Sequence, residues 1–209
     1  MSYGLKTFLQ IIIILVVPII LLQTKVIPST HGIADTVLGT SLILITGIAI
    51  CERFTLKELG IRRDNLQPAV LPYALFTLAG VAVIFGLANL LGRHPQSEWF
   101  INPHFRYLLF IPISIIQQFA FQGVLMAKLR RIFSSPALII FIVAALYAYM
   151  HIIFPPLPVS LPFAFVAGLG FAAIYYFYPN LILASLSHII LNFFAVLYCF
   201  FTFTQTCSF

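Results

Sequence analysis

The sequence carries very little charge, and it loses even that along its length. Of 209 residues, only 8% are Asp, Glu, Lys or Arg, against about 25% in a typical soluble domain. Its five carboxylates are Asp35, Glu52, Glu58, Asp64 and Glu98, so no acidic side chain follows position 98. Lys and Arg stop at Arg131. A water-facing surface cannot be built over residues 132–209 from such a composition, which excludes an ordinary core-and-shell domain. Cysteine is scarce too. Cys51, Cys199 and Cys207 stand apart, with no CxxC and no His at zinc-finger spacing. That argues against a disulfide framework or a zinc cluster, and it leaves packed or lipid-facing thiols as the expectation. There is no internal repeat, low-complexity linker or lipidation motif, so residues 1–209 read as one domain.

What is abundant is apolar length, with 62% of residues hydrophobic. A helix crossing the hydrocarbon needs ~20 apolar residues. Seven stretches qualify, at about 7–26, 33–51, 69–91, 106–127, 136–154, 159–178 and 181–203. The expected fold is all-α, a polytopic membrane helix bundle of about seven transmembrane helices. Pro18, Pro72, Pro112 and Pro162 fall inside these stretches. Membrane helices tolerate proline where neighbours satisfy the freed carbonyl. Residues 4–26 are long enough to span and read as a retained first helix.

The net charge of +6 lies in short connections, which encodes topology and gives no reason to expect nucleic acid. The loop 52–68 holds Arg53, Lys57, Arg62 and Arg63. Placed in the cytoplasm, it brings Lys6, Lys128, Arg130 and Arg131 to the same side. Lys25, Arg93 and Arg106 fall opposite, eight basic residues against three. The chain is therefore expected N-in and C-out. It divides into two N-terminal helices (1–51), a basic cytoplasmic loop (52–68) and a core (69–209). Small size, short loops and the lack of appended domains suggest a bacterial plasma membrane.

Polar side chains at membrane depth are costly, so each is a functional candidate. Gln117, Gln118 and Gln122 lie near the middle of the fourth stretch, and Gln118 and Gln122 share a helix face. His151 lies near the end of the fifth, one turn after Tyr147. His188 and Asn192 share a face of the last, with Ser185 one turn before. Ala164, Gly168 and Ala172 recur at four-residue spacing, which lets helix backbones approach closely.

These residues resemble the CPBP family of intramembrane endopeptidases, which includes CAAX prenyl endopeptidases and the bacteriocin-processing or Abi proteins. That family carries Glu-Glu-x-x-x-Arg, Phe-x-x-x-His and His-x-x-x-Asn/Asp on separate helices. The third motif is intact as His188-Ile-Ile-Leu-Asn192, and the second appears as Tyr147-Ala-Tyr-Met-His151. The first is degenerate: Gln117, Gln118 and Gln122 stand where the family has Glu, Glu and Arg. Leu56-Lys-Glu-Leu-Gly60 and the run from Pro179 to His188 agree with the family's surroundings of these motifs.

The resemblance implies a peptide or membrane-protein substrate within lipid, attacked by a water that a glutamate and the histidines activate. It implies His151, His188, Asn192, Gln118, Gln117 and Gln122 as the site. A Gln orients water but cannot take its proton, so hydrolysis is expected to be reduced or lost. Replacing Glu and Arg together avoids leaving an unpaired buried charge, and the three Gln can hydrogen-bond among themselves. No cofactor is expected. His151 and His188 offer two ligands to a zinc ion, where three plus water are usual. The alternatives are a pseudoprotease acting as a membrane binding, immunity or scaffold protein, and a small-solute transporter. The last would lack the repeats common in carriers.

Overall fold

The computed structural model describes residues 2–24, 26, 31–95, 110–153 and 156–200, and all their regular structure is helical. Seven helical segments result among these residues. They are α1 (Tyr3–Gln23), α2 (His31–Cys51), α3 (Leu66–Leu90), α4 (110–130), α5 (Pro136–Tyr149), α6 (Leu157–Phe177) and α7 (Leu181–Leu197). Three of them, α1, α3 and α6, are long and apolar enough to cross a membrane.

Proline and capping residues decide the local geometry. Pro18 has no N–H to offer the Ile14 carbonyl, and the helix widens over Ile12–Val16. The loosened carbonyls meet donors on other helices. Ser41 Oγ reaches Ile14 O at 3.5 Å and Tyr149 OH reaches Val16 O at 3.4 Å. Ser135 caps α5, with Pro136 opening its first turn. Asn180 caps α7 through Oδ1, which accepts from Leu183 N at 3.1 Å. A second widened turn runs over Phe119–Leu125 inside α4, beside the polar residues.

The basic residues gather at one end. Glu52, with a side chain 4% exposed, accepts from Lys128 Nζ at 2.7 Å on both oxygens and from Tyr3 OH at 2.8 Å. Lys6 adds an ion pair at 3.2 Å. Burial alone would raise the Glu52 pKa, but these donors outweigh it and hold it at about 2. Arg131 pairs with Glu58 at 2.8 Å, and its guanidinium lies 3.8 Å over the Phe54 ring. The loop is also tied to the α6–α7 turn. Asn180 Nδ2 donates to Arg62 O and to Asn65 Oδ1 at 3.1 Å, Asn65 Nδ2 donates to Pro179 O at 3.0 Å, and Leu181 N donates to Gly60 O at 2.8 Å. Arg93 lies at the far end of α3, where its Nη1 donates to Cys199 O at 2.6 Å.

Two expectations about the ends of helices change. Helix α5 stops at Tyr149 and not near 154, because its last turns tighten: His151 N bonds Ala148 O at 2.9 Å and Ile152 N bonds Tyr149 O at 3.1 Å. Helix α7 stops at Leu197, with Cys199 at φ 60 and the Arg93 side chain on its final carbonyls. Cys199 is disulfide-bonded, contrary to the expectation of three isolated thiols; Cys51 is free and Cys207 lies outside the described residues.

The small-residue stripe packs as expected. Ala164 and Ala172 are fully buried, and a methyl on Gly168 would lie 3.1 Å from both Ala144 Cα and Tyr147 Cδ1. Helix α6 therefore lies directly against α5, beside the second motif. Helix α7 packs on α3 and α4. The Thr77 and Ser187 hydroxyls share a 2.7 Å hydrogen bond across that contact. These packings set α4, α5, α6 and α7 around one polar centre.

Candidate active site

Helix α7 brings His188 to the centre of this group, 1% exposed. It lies about 12 Å along α7 from the Asn180 cap at 1.5 Å per residue. Helix α4 faces it with Ser114 and Gln118, both fully buried and four residues apart. His188 Nδ1 lies 3.1 Å from the Gln118 amide nitrogen and 3.3 Å from the Ser114 carbonyl. Its Nε2 lies 2.9 Å from the Tyr147 hydroxyl of α5. Asn192, one turn beyond His188, donates from Nδ2 to Ser114 Oγ at 2.8 Å. Phe171 of α6 closes one side, its ring centroid 5.1 Å from that of His188.

The protons can be placed from these contacts. The Tyr147 hydroxyl has His188 Nε2 as its described acceptor, so it donates there. The imidazole proton then sits on Nδ1 and donates to Ser114 O. Oxygen and nitrogen of a Gln amide are interchangeable from heavy-atom positions, and turning Gln118 presents its oxygen to the same N–H. Both ring nitrogens are thus engaged by neutral groups.

His151 joins through Tyr147. Its Nδ1 donates to the Tyr147 carbonyl at 2.8 Å, and its ring centroid lies 4.8 Å from the Tyr147 ring. The two histidines flank one tyrosine. Sequence arithmetic sets them about 10 Å apart in depth. In the structure both imidazoles contact Tyr147, so α5 and α7 are offset along their axes enough to bring them together.

The glutamines behave differently from one another. Gln118 meets His188. Gln122 is fully buried with neither amide atom paired, and Gln117 keeps an unpaired buried oxygen. The expected hydrogen bonding among the three does not form: Gln118 turns to His188, and both amide atoms of Gln122 and the oxygen of Gln117 stay unpaired. Ser114 was missed from the sequence. Its signal was its position one turn before Gln118 on the same face. The carboxylates whose side chains are described, Glu52, Glu58 and Asp64, all belong to the basic end and not to this site. Among the described residues, no group of three His, Cys, Asp or Glu lies together. His151 and His188 alone do not fit a catalytic zinc ion, which takes three protein ligands.

Residues 97–194 match the family described as Rce1-like, type II CAAX prenyl endopeptidase Rce1-like. The match agrees with the resemblance of this part of the chain to the CPBP family. The matched segment contains α4 through most of α7, and with them every residue of the His188 network. No curated protein and no solved structure compared with the chain matched it. CPBP-type proteins are integral to membranes, in keeping with the long apolar helices here.

Proposed function

We propose that this protein is a CPBP-type membrane protein that receives peptide segments at the His188 pocket and hydrolyses them slowly or not at all. The observation that carries this is the engagement of both His188 nitrogens by Tyr147, Ser114 and Gln118. A general base needs a lone pair aimed at water and a high enough proton affinity. Here the lone pair on Nε2 is met by a phenol, and the family's glutamate position holds an amide. Asn192 remains suited to donate to a developing oxyanion, so the pocket keeps the polar donors that recognise a peptide carbonyl.

In this reading the chain crosses the membrane seven times, with the basic end in the cytoplasm, N-in and C-out. Lys6, Lys128 and Arg131 meet on Glu52 and Glu58 at that end, which supports the assignment. A bacterial plasma membrane is the proposed location. The pocket then lies roughly 12–18 Å from the cytoplasmic end of the bundle, from the rise along α4 and α7.

The test is capture of a photo-crosslinkable transmembrane peptide library by wild-type protein and by a Gln118→Ala, His188→Ala, Asn192→Ala variant. The reading expects capture by the wild type, loss of capture in the variant and no cleaved product. Equal capture by both would overturn the recognition role. Rapid turnover by the wild type that vanishes in His188→Ala would overturn the loss of hydrolysis.

A further inference from the structure

Gln122 and Tyr175 present polar atoms that no described residue answers. The Gln122 amide oxygen and nitrogen and the Tyr175 hydroxyl are all buried and unpaired. Both side chains are at most 1% exposed. The Tyr175 hydroxyl and the α4 backbone at Gly123, next to Gln122, approach the same stretch of the 52–65 loop. A methyl on Gly123, next to Gln122, would lie 3.6 Å from the Leu59 carbonyl. One on Gly60 would collide with the Tyr175 hydroxyl, and Gly60 holds a φ of +69 that suits glycine. From there the unpaired atoms continue inward. Gln118 lies one turn along α4, ~6 Å away by helix rise, with one amide atom unpaired, and Gln117 adds another.

Buried polar atoms without protein partners are met by ordered water, which needs two to four such groups around it. We infer that Gln122 and Tyr175 hold an internal water site beneath Leu59–Gly60 that connects the basic end of the bundle to the His188 pocket. The widened turn over Phe119–Leu125 supports it, since such turns set side chains off the regular helical face. The site serves the same pocket as the proposed function. Its test reads water and not cleavage, so the two readings fail separately.

The experiment is radiolytic hydroxyl labelling of the full-length protein in nanodiscs, where water beside a side chain is the radical source. Tyr175 and Tyr147 are the reporters, 1% and 3% exposed, and Tyr178 at 38% is the exposed control. The wild type should label at both buried tyrosines. Gln122→Met fills the space with an apolar side chain of similar length. It should cut labelling of Tyr147 by at least about fivefold while Tyr178 is unchanged. An unlabelled Tyr147 and Tyr175 in the wild type, or equal labelling in the variant, overturns the inference. Should Gln122→Met not fold, Tyr175→Phe carries the same reading at Tyr147, with a fivefold loss supporting the site and no change refuting it.

Discussion

Tyr147→Phe removes one oxygen from the centre of the site and leaves the ring in place. The ring packs against Phe121 at 5.5 Å between centroids and against Gly168, and neither contact depends on the hydroxyl. The loss falls on His188 Nε2, buried and deprived of its 2.9 Å partner. An unsatisfied buried acceptor costs about 1–3 kcal/mol, and membrane-interior hydrogen bonds average somewhat below that. We expect about 1.5 kcal/mol, or a fall of about 3–6 °C in the unfolding midpoint for a chain of this size. Gln118→Met is a control with a smaller expected cost. The His188 Nδ1–H keeps the Ser114 carbonyl at 3.3 Å, so that change should cost under about 1 kcal/mol. The assay is reversible unfolding in mixed micelles followed by far-UV circular dichroism. If Gln118→Met destabilises more than Tyr147→Phe, the proton sits on Nε2 and the assignment of partners is wrong.

Other consequences can be measured on the same preparation. Glu52→Gln leaves Lys128 buried without a counter-charge and should cost about 3 kcal/mol, whereas Asp64→Asn, at a solvent-exposed pair, should leave the unfolding midpoint essentially unchanged. Glu52 is held at about 2 in the folded protein against 4.5 for the free group, so it stabilises fully above pH 4.5. That contribution should decline as pH falls from 4.5 towards 2 and be absent in Glu52→Gln, as acid titration of the unfolding midpoint will show. Gly168→Val drives a side chain into the Ala144 backbone and should cost about 2–3 kcal/mol, where Gly86→Ala, with open space, should not.

The apolar lengths and the basic loops made the helical bundle legible before any coordinates, and the charge count anticipated which basic residues share an end. The helix ends were less legible. Helix α5 ends in a tightened turn and α7 on the Arg93 side chain, and neither depends on local hydropathy. The same holds within the site. His188 and Asn192 announce themselves by spacing, but Ser114 is an ordinary serine until α7 packs on α4. The three glutamines looked like one neutral set in sequence. In the structure only Gln118 meets the histidine, and Gln122 is buried with both amide atoms unpaired. The Glu52–Lys128 pair joins residues 76 positions apart, beyond what spacing along one helix can reveal.

The central claim is that neutral partners silence His188. It is tested most directly by the initial rate of peptide-bond cleavage, comparing wild type with a Gln117→Glu, Gln118→Glu, Gln122→Arg variant in identical vesicles. Restoring the carboxylate base should raise the rate by at least about 100-fold over a near-background wild type. Equal rates in the two proteins, well above the uncatalysed reaction and dependent on His188, would contradict the account.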